Sequence, residues 1–323
     1  MSSTPAIFMP SGPLSIGELL DRAVTLLVRN FWIFAVLAGV LYVPIALTQL
    51  GMLDLYKMYA DLMSAAMGGS IEKVRTINQT MAQSMVTKFG ISFLLQFAVA
   101  LTLSPIVTAA ITHATSNLLL GQTGNAAEAL RYALPRWGRV MLYVLLWVVA
   151  TIAAFIALAL VTALAASAAM LFAKPTAAIA LVIIAIVLFY LALAVLGLAA
   201  WVAFGVGLTA STVEGLGAGA AFATAFKRTW TRAYFWRSVL IGLVLLAISM
   251  GISTVTSAAG FGLLALLHTG IPLVILNSVF AIVNLAITVI VIVLYYYDLR
   301  VRGEGADLHV LLGQVAQRPP ATA

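Results

Sequence analysis

The sequence predicts an all-α, polytopic membrane protein, and three observations lead there. The first is composition: 63% of residues are hydrophobic and 8% charged, with a mean hydropathy of +1.13. Soluble domains carry roughly 25% charged residues, and a soluble chain of 323 residues has no interior large enough for this much apolar surface. The second is that six apolar stretches reach the ~20 residues a helical crossing requires. The third is that a basic amphipathic segment runs straight into an apolar stretch three times.

The six stretches are residues 31–50, 89–111, 140–172, 177–208, 239–267 and 272–297. The third and fourth exceed one crossing, which implies tilt or projection beyond the lipid. Pro44 and Pro105 fall inside the first two, where proline kinks a helix. The N-terminal MSSTPAIFMPSGP has no basic region followed by a short apolar run and a cleavage site. Insertion is therefore expected to begin with the first membrane helix, which is retained.

Charge sets orientation. With both termini inside, twelve Lys and Arg flank the cytoplasmic ends and five (Lys57, Lys73, Arg75, Lys88, Lys174) lie outside. That bias predicts a multi-pass inner-membrane protein with cytoplasmic termini. Clustered beside apolar runs, the basic residues suit anionic headgroups. They are not interleaved with stacking aromatics on a polar surface, so nucleic acid is not expected.

The three amphipathic segments divide the chain into repeats, each predicted as an amphipathic helix plus a helical hairpin. They cover about 15–120, 125–213 and 219–302 of one membrane domain, followed by a short cytoplasmic tail, 303–323. Ser15 with Glu18, and Asn125 with Glu128, have capping-box spacing. In the first segment Ile16, Leu19, Leu20, Ala23, Val24 and Leu27 share a helical face; in the third, Phe222, Ala225, Phe226, Thr229 and Trp230 do. Pro135 is expected to interrupt the second. Helices of this kind lie in the headgroup plane with the apolar side down, which would form a basic cytoplasmic collar.

Three stretches, PLSIGELLDRAVTLLVRNFW, VEGLGAGAAFATAFKRTWTRAYFWR and LYYYDLRVRGEGADLHVLL, resemble the membrane domain of bacterial glycerophosphoryl diester phosphodiesterases in its stand-alone form. With the six-span pattern the resemblance covers nearly the whole chain, and YYDLRVRGEGADL is its most specific part. It implies a polytopic helical module, sometimes attached to a catalytic phosphodiesterase barrel. The sequence beyond Tyr297 is too short for such a barrel. The histidines are His113, His268 and His309, and no segment resembles the barrel's metal-binding carboxylates. Phosphodiesterase activity is therefore not expected here.

No Asp, Glu, Lys, Arg or His falls in the middle of a predicted span; His113, at the end of the second, comes nearest. That argues against ion-driven transport. Polar residues form stripes instead. Asn277 and Asn284 are a heptad apart with Asp298 near the same stripe, and Gly242, Ser249, Ser253, Thr256 and Gly260 share a face. Interhelical packing is the preferred reading, with a ligand pathway as the alternative.

Glu214, Lys227, Arg228, Arg232, Asp298, Arg300 and Arg302 gather near predicted cytoplasmic helix ends. They suit either an electrostatic clasp or a headgroup or phosphate site. The glycines of Gly215, Gly217 and Gly219 follow no strand, so they do not form a nucleotide loop. Met52, Met58, Met63, Met67, Met81 and Met85 fall in the first outer loop. Thioethers suit Cu(I), but an adaptable apolar helix face is preferred. Cysteine is absent, and there is no Ser/His/Asp arrangement, HExxH or Walker loop.

The resulting expectation is a non-enzymatic module without cofactor or metal. It would engage anionic phospholipid headgroups, or a protein partner, through a basic cytoplasmic face. The alternatives are a transporter or lipid translocator, or an anchor for a separate soluble enzyme.

Overall fold

A computed structural model describes residues 13–172, 175–267 and 269–304. His268, His309, Lys174, Arg318 and nearly all of the expected tail lie outside the described residues. Those residues form ten α-helices and one 3-10 turn, with no strand. In order they are α1 (Ile16–Arg29), α2 (Phe31–Leu50), α3 (Leu53–Met67), α4 (Ile71–Leu119), α5 (Ala126–Ala133), α6 (Trp137–Phe172), α7 (Pro175–Val213), α8 (Ala218–Thr229), α9 (Phe235–Leu267) and α10 (Ile271–Glu304). Six of them, α2, α4, α6, α7, α9 and α10, are long and apolar enough to cross a membrane. The protein is thus an all-helical, multi-pass membrane protein.

Each basic amphipathic segment is a separate short helix (α1, α5, α8) placed immediately before a long apolar one. Asn125 caps α5, its side chain accepting from the Ala127 N–H at 2.9 Å. Pro135 lies in the 3-10 turn Leu134–Arg136 that separates α5 from α6, because proline cannot supply the helix's next N–H.

One expectation needs correction. The first outer connection, with its methionines and four cations, is not a loop. It is α3 followed by the start of α4, which begins eighteen residues ahead of the predicted span. The intervening EKVRTINQTMAQSMVTK lacks the apolar content of a crossing but contains good helix formers, so the helix extends beyond the apolar stretch. At 49 residues, α4 is roughly 74 Å long at 1.5 Å per residue, against a hydrocarbon core of ~30 Å.

The chain forms two compact units. One comprises residues 17–135 and 246–291 of the described chain. In it α4 packs on α2, α3 and α5. The Ser92 hydroxyl donates to the Thr48 carbonyl at 3.3 Å, and the Tyr59 and Phe261 rings lie 5.6 Å apart. In α1, Leu19, Ala23 and Leu27 of the predicted face are buried together with Leu26, whereas Val24 on that face is exposed.

The other unit comprises residues 13–16, 136–245 and 292–304 of the described chain. Here α6 pairs with α7, and α8 packs on both. Gly207 makes that approach possible: a Cβ there would collide with the Tyr143 hydroxyl and come within 2.8 Å of Ala225 Cβ. The small buried stripe of α8 (Ala218, Ala221, Ala225, Thr229) rests on this surface. Phe226 stacks on Trp147 at 5.4 Å, and Phe222 meets the same ring at a tilt at 5.1 Å. Ala225 and Thr229 of the predicted apolar face are thus buried against protein, while Trp230 on the same face stays exposed. Outward residues such as Val149, Leu164 and Tyr190 remain exposed. This is the surface a helix presents to acyl chains.

Candidate functional site

Polar side chains in the second unit gather where α7, α8 and α10 end and α9 begins. The sequence groups Glu214, Asp298, Arg300 and Arg302 together, but the structure divides them into two clusters. The division follows from helix geometry. Positions 298 and 300 are about 200° apart around α10, whereas 296 and 300, or 298 and 302, lie one turn apart.

The first cluster centres on Asp298, whose side chain is 0% exposed. Its Oδ1 accepts from the Leu14 backbone N–H at 2.8 Å and from Arg302 Nε at 3.0 Å. Its Oδ2 accepts from Arg237 Nη2 at 3.0 Å and Arg302 Nε at 2.9 Å. The Leu14 carbonyl accepts from Arg237 Nη2 at 2.6 Å and Arg302 Nη2 at 2.7 Å. One carboxylate and one peptide unit thus occupy two guanidinium groups. A buried charge persists only when paired and hydrogen-bonded in this way. Next to it, the Ser238 and Tyr295 hydroxyls meet at 2.9 Å.

Glu214 anchors the second cluster. Its Oε1 accepts from Arg228 Nη1 at 2.8 Å and from the Tyr296 hydroxyl, with Arg300 Nε 4.0 Å away. The Arg228 guanidinium also lies over the Tyr296 ring, 5.2 Å from its centroid. Gly215 adopts φ +70° at the end of α7, a conformation suited to glycine. Its carbonyl accepts from Arg139 Nη1 at 2.8 Å.

Lys227 and Arg232 join neither cluster. Both are exposed, and neither bonds to another described residue. Among the described residues, Glu214 lies beside Arg228 and Arg300 and Asp298 beside Arg237 and Arg302, two arginines to each carboxylate. Sequence reasoning left Arg139, Arg237 and Tyr296 out of the candidate site. The i,i+4 spacing of Tyr296 to Arg300 was the available signal for the last of these.

Asn284 and Asn277 lie in the first unit, away from these clusters in sequence. The Ser249 hydroxyl donates to Asn284 Oδ1 at 2.9 Å across α9 and α10. Asn277 lines a cavity between those two helices. Of the methionines, Met58, Met63 and Met67 lie on α3 and Met81 and Met85 on α4, while Met52 precedes α3. Among the described residues no group of three or more His, Cys, Asp or Glu is placed to hold a metal. No family model matches the chain, and no curated protein and no solved structure matches it either.

Proposed function

We propose that this membrane protein is a non-enzymatic inner-membrane module that holds anionic lipid headgroups on a basic face formed by α8, the start of α9 and the end of α10. The observation that carries this reading is the exposure of Lys227 and Arg232, which pair with no described carboxylate, while Arg228 pairs with Glu214 and Arg237 and Arg302 with Asp298. The inner clusters hold the helix ends, and the exposed Lys227 and Arg232 are available to phosphate. The positive-inside bias supports a cytoplasmic position for this face, where anionic lipids are abundant. The stretches resembling the phosphodiesterase membrane domain fit the same role, as a polytopic module acting without the barrel's chemistry.

Native mass spectrometry of the gently extracted protein tests the proposal. Wild type should retain phosphatidylglycerol over phosphatidylcholine. The double variant Lys227→Gln, Arg232→Gln should lose retention by about fivefold per charge, at ~1 kcal/mol each. Equal retention by wild type and variant would remove the basis of the reading. A stoichiometric protein bound in place of lipid would favour an anchoring role.

A further inference from the structure

The halves of α9 and α10 that belong to the first unit meet at two points. At one, the Ser249 hydroxyl binds Asn284 at 2.9 Å. At the other, Gly260 lets Leu273 approach so closely that a Cβ on the glycine would collide with the Leu273 side chain. Between these contacts the helices part around a cavity of about 130 Å³, lined by Ser253, Thr256, Asn277, Phe280 and Asn284 among others.

The lining is chemically specific. Ser249, Ser253 and Thr256 lie on one face of α9, and Asn277, Ala281 and Asn284 on one face of α10. The Thr256 hydroxyl is turned back to the Ile252 carbonyl at 2.7 Å. The Asn277 amide, the Asn284 amide nitrogen and the Ser253 hydroxyl make no hydrogen bond to a described residue. Polar groups within a membrane span are costly when unpaired, so this grouping calls for a hydrogen-bonding occupant. Its lining contains no ionisable side chain, and an unpaired charge at this depth would be strongly disfavoured. An engineered cavity of about 150 Å³ holds one benzene, which sets the size at about six heavy atoms. Ser253 is exposed, so the cavity is open on one side.

We infer that the α9–α10 cavity is an intramembrane binding site for a small uncharged molecule or group rich in hydroxyls or amides, held by Asn277, Asn284 and Ser253. Phe280 supplies an apolar wall for the carbon skeleton, while the two amides offer both donors and acceptors. This site is separate from the proposed headgroup face in both residues and chemistry.

The chain has no cysteine, so Ser253→Cys places a unique thiol in the cavity. The full-length protein in lipid nanodiscs is treated with methyl methanethiosulfonate. Val255→Cys serves as the lipid-facing control, since Val255 is 62% exposed on the same helix. Because the thiolate in water is the reactive form, Ser253→Cys should react roughly tenfold faster than the control. Glycerol and acetamide, the two probes, should each slow it, and a trimethylammonium thiosulfonate should react less than the neutral reagent. Adding Asn277→Leu should abolish the slowing while leaving the elution volume unchanged. Ala281→Cys reads the same cavity from α10 should Ser253→Cys fail to assemble. Equal rates at the two thiols, no slowing by either probe, or spontaneous disulfide linkage of two copies would each overturn the inference. The last would assign the cavity to an interface between chains.

Discussion

The backbone N–H of Leu14 donates to Oδ1 of Asp298, 284 positions later in the sequence, at 2.8 Å. Through this contact and the two arginines around it, the segment entering α1 is tied to the last turns of α10. The carboxylate is fully buried, so the tie depends on every partner remaining in place. Removing one side of a buried ion pair leaves the other charged and unpaired.

Asp298→Ala should therefore cost about 3–5 kcal/mol, leaving Arg237 and Arg302 facing each other without a counter-charge. Asp298→Asn should cost less, because its carbonyl can still accept from the Leu14 N–H. Thermal unfolding of the detergent-solubilised variants checks both. Equal stability of wild type and Asp298→Ala would show that the cluster does not hold the fold.

Glu214→Gln should separate clasp from binding face. The pair with Arg228 is partly exposed, so its loss should cost about 1 kcal/mol or less. At the same time Arg228 is released from its carboxylate, and phosphatidylglycerol retention should rise. A fall in retention with stability unchanged would place Glu214 in a binding role instead of a neutralising one.

Gly207→Val should be more damaging than its position in a long apolar helix suggests. The added carbons meet Tyr143 and Ala225, and overpacking of this kind costs about 1–3 kcal/mol. Tyr143→Phe should cost about 1 kcal/mol by deleting the hydrogen bond to the Phe204 carbonyl at 2.7 Å. Unfolding midpoints of the two variants, measured side by side, decide the order.

On α3, outside the spans, Asp54 accepts from Lys88 at 2.8 Å, which holds its carboxyl below the usual carboxylate range, by hydrogen bond first and charge second. A lowered folded-state pKa contributes stability above the ordinary carboxylate value and loses it as pH falls through the lowered one. The protection of the α3 amides, taken relative to their intrinsic exchange rate at each pH, should therefore fall on acidification below about pH 4, and Asp54→Asn should flatten that response. Both groups are well exposed, so the effect should shrink in high salt.

The six crossings were readable because twenty apolar residues in a row have one physical destination. Their ends were less readable. In α4 the helix continues through a polar, helix-favouring stretch that a hydropathy scan counts as loop. The Asn125 cap and the break at Pro135 were local chemistry, and both can be read from neighbouring residues. Arg237 was not readable as a partner of Asp298, since nothing in their 61-residue separation signals contact.

By itself, the sequence determined that this protein is helical, lies in a membrane and collects cations beside its crossings. Composition and periodicity act locally, and a bilayer leaves the backbone few alternatives to helix. Only the tertiary structure decided which cations are spent. It assigned Arg228 to Glu214 and Arg237 and Arg302 to Asp298, left Lys227 and Arg232 exposed, and opened a polar cavity between α9 and α10. Ion pairing falls off over a few ångströms, so it depends on which helix ends come together, and that information is not carried by any one segment.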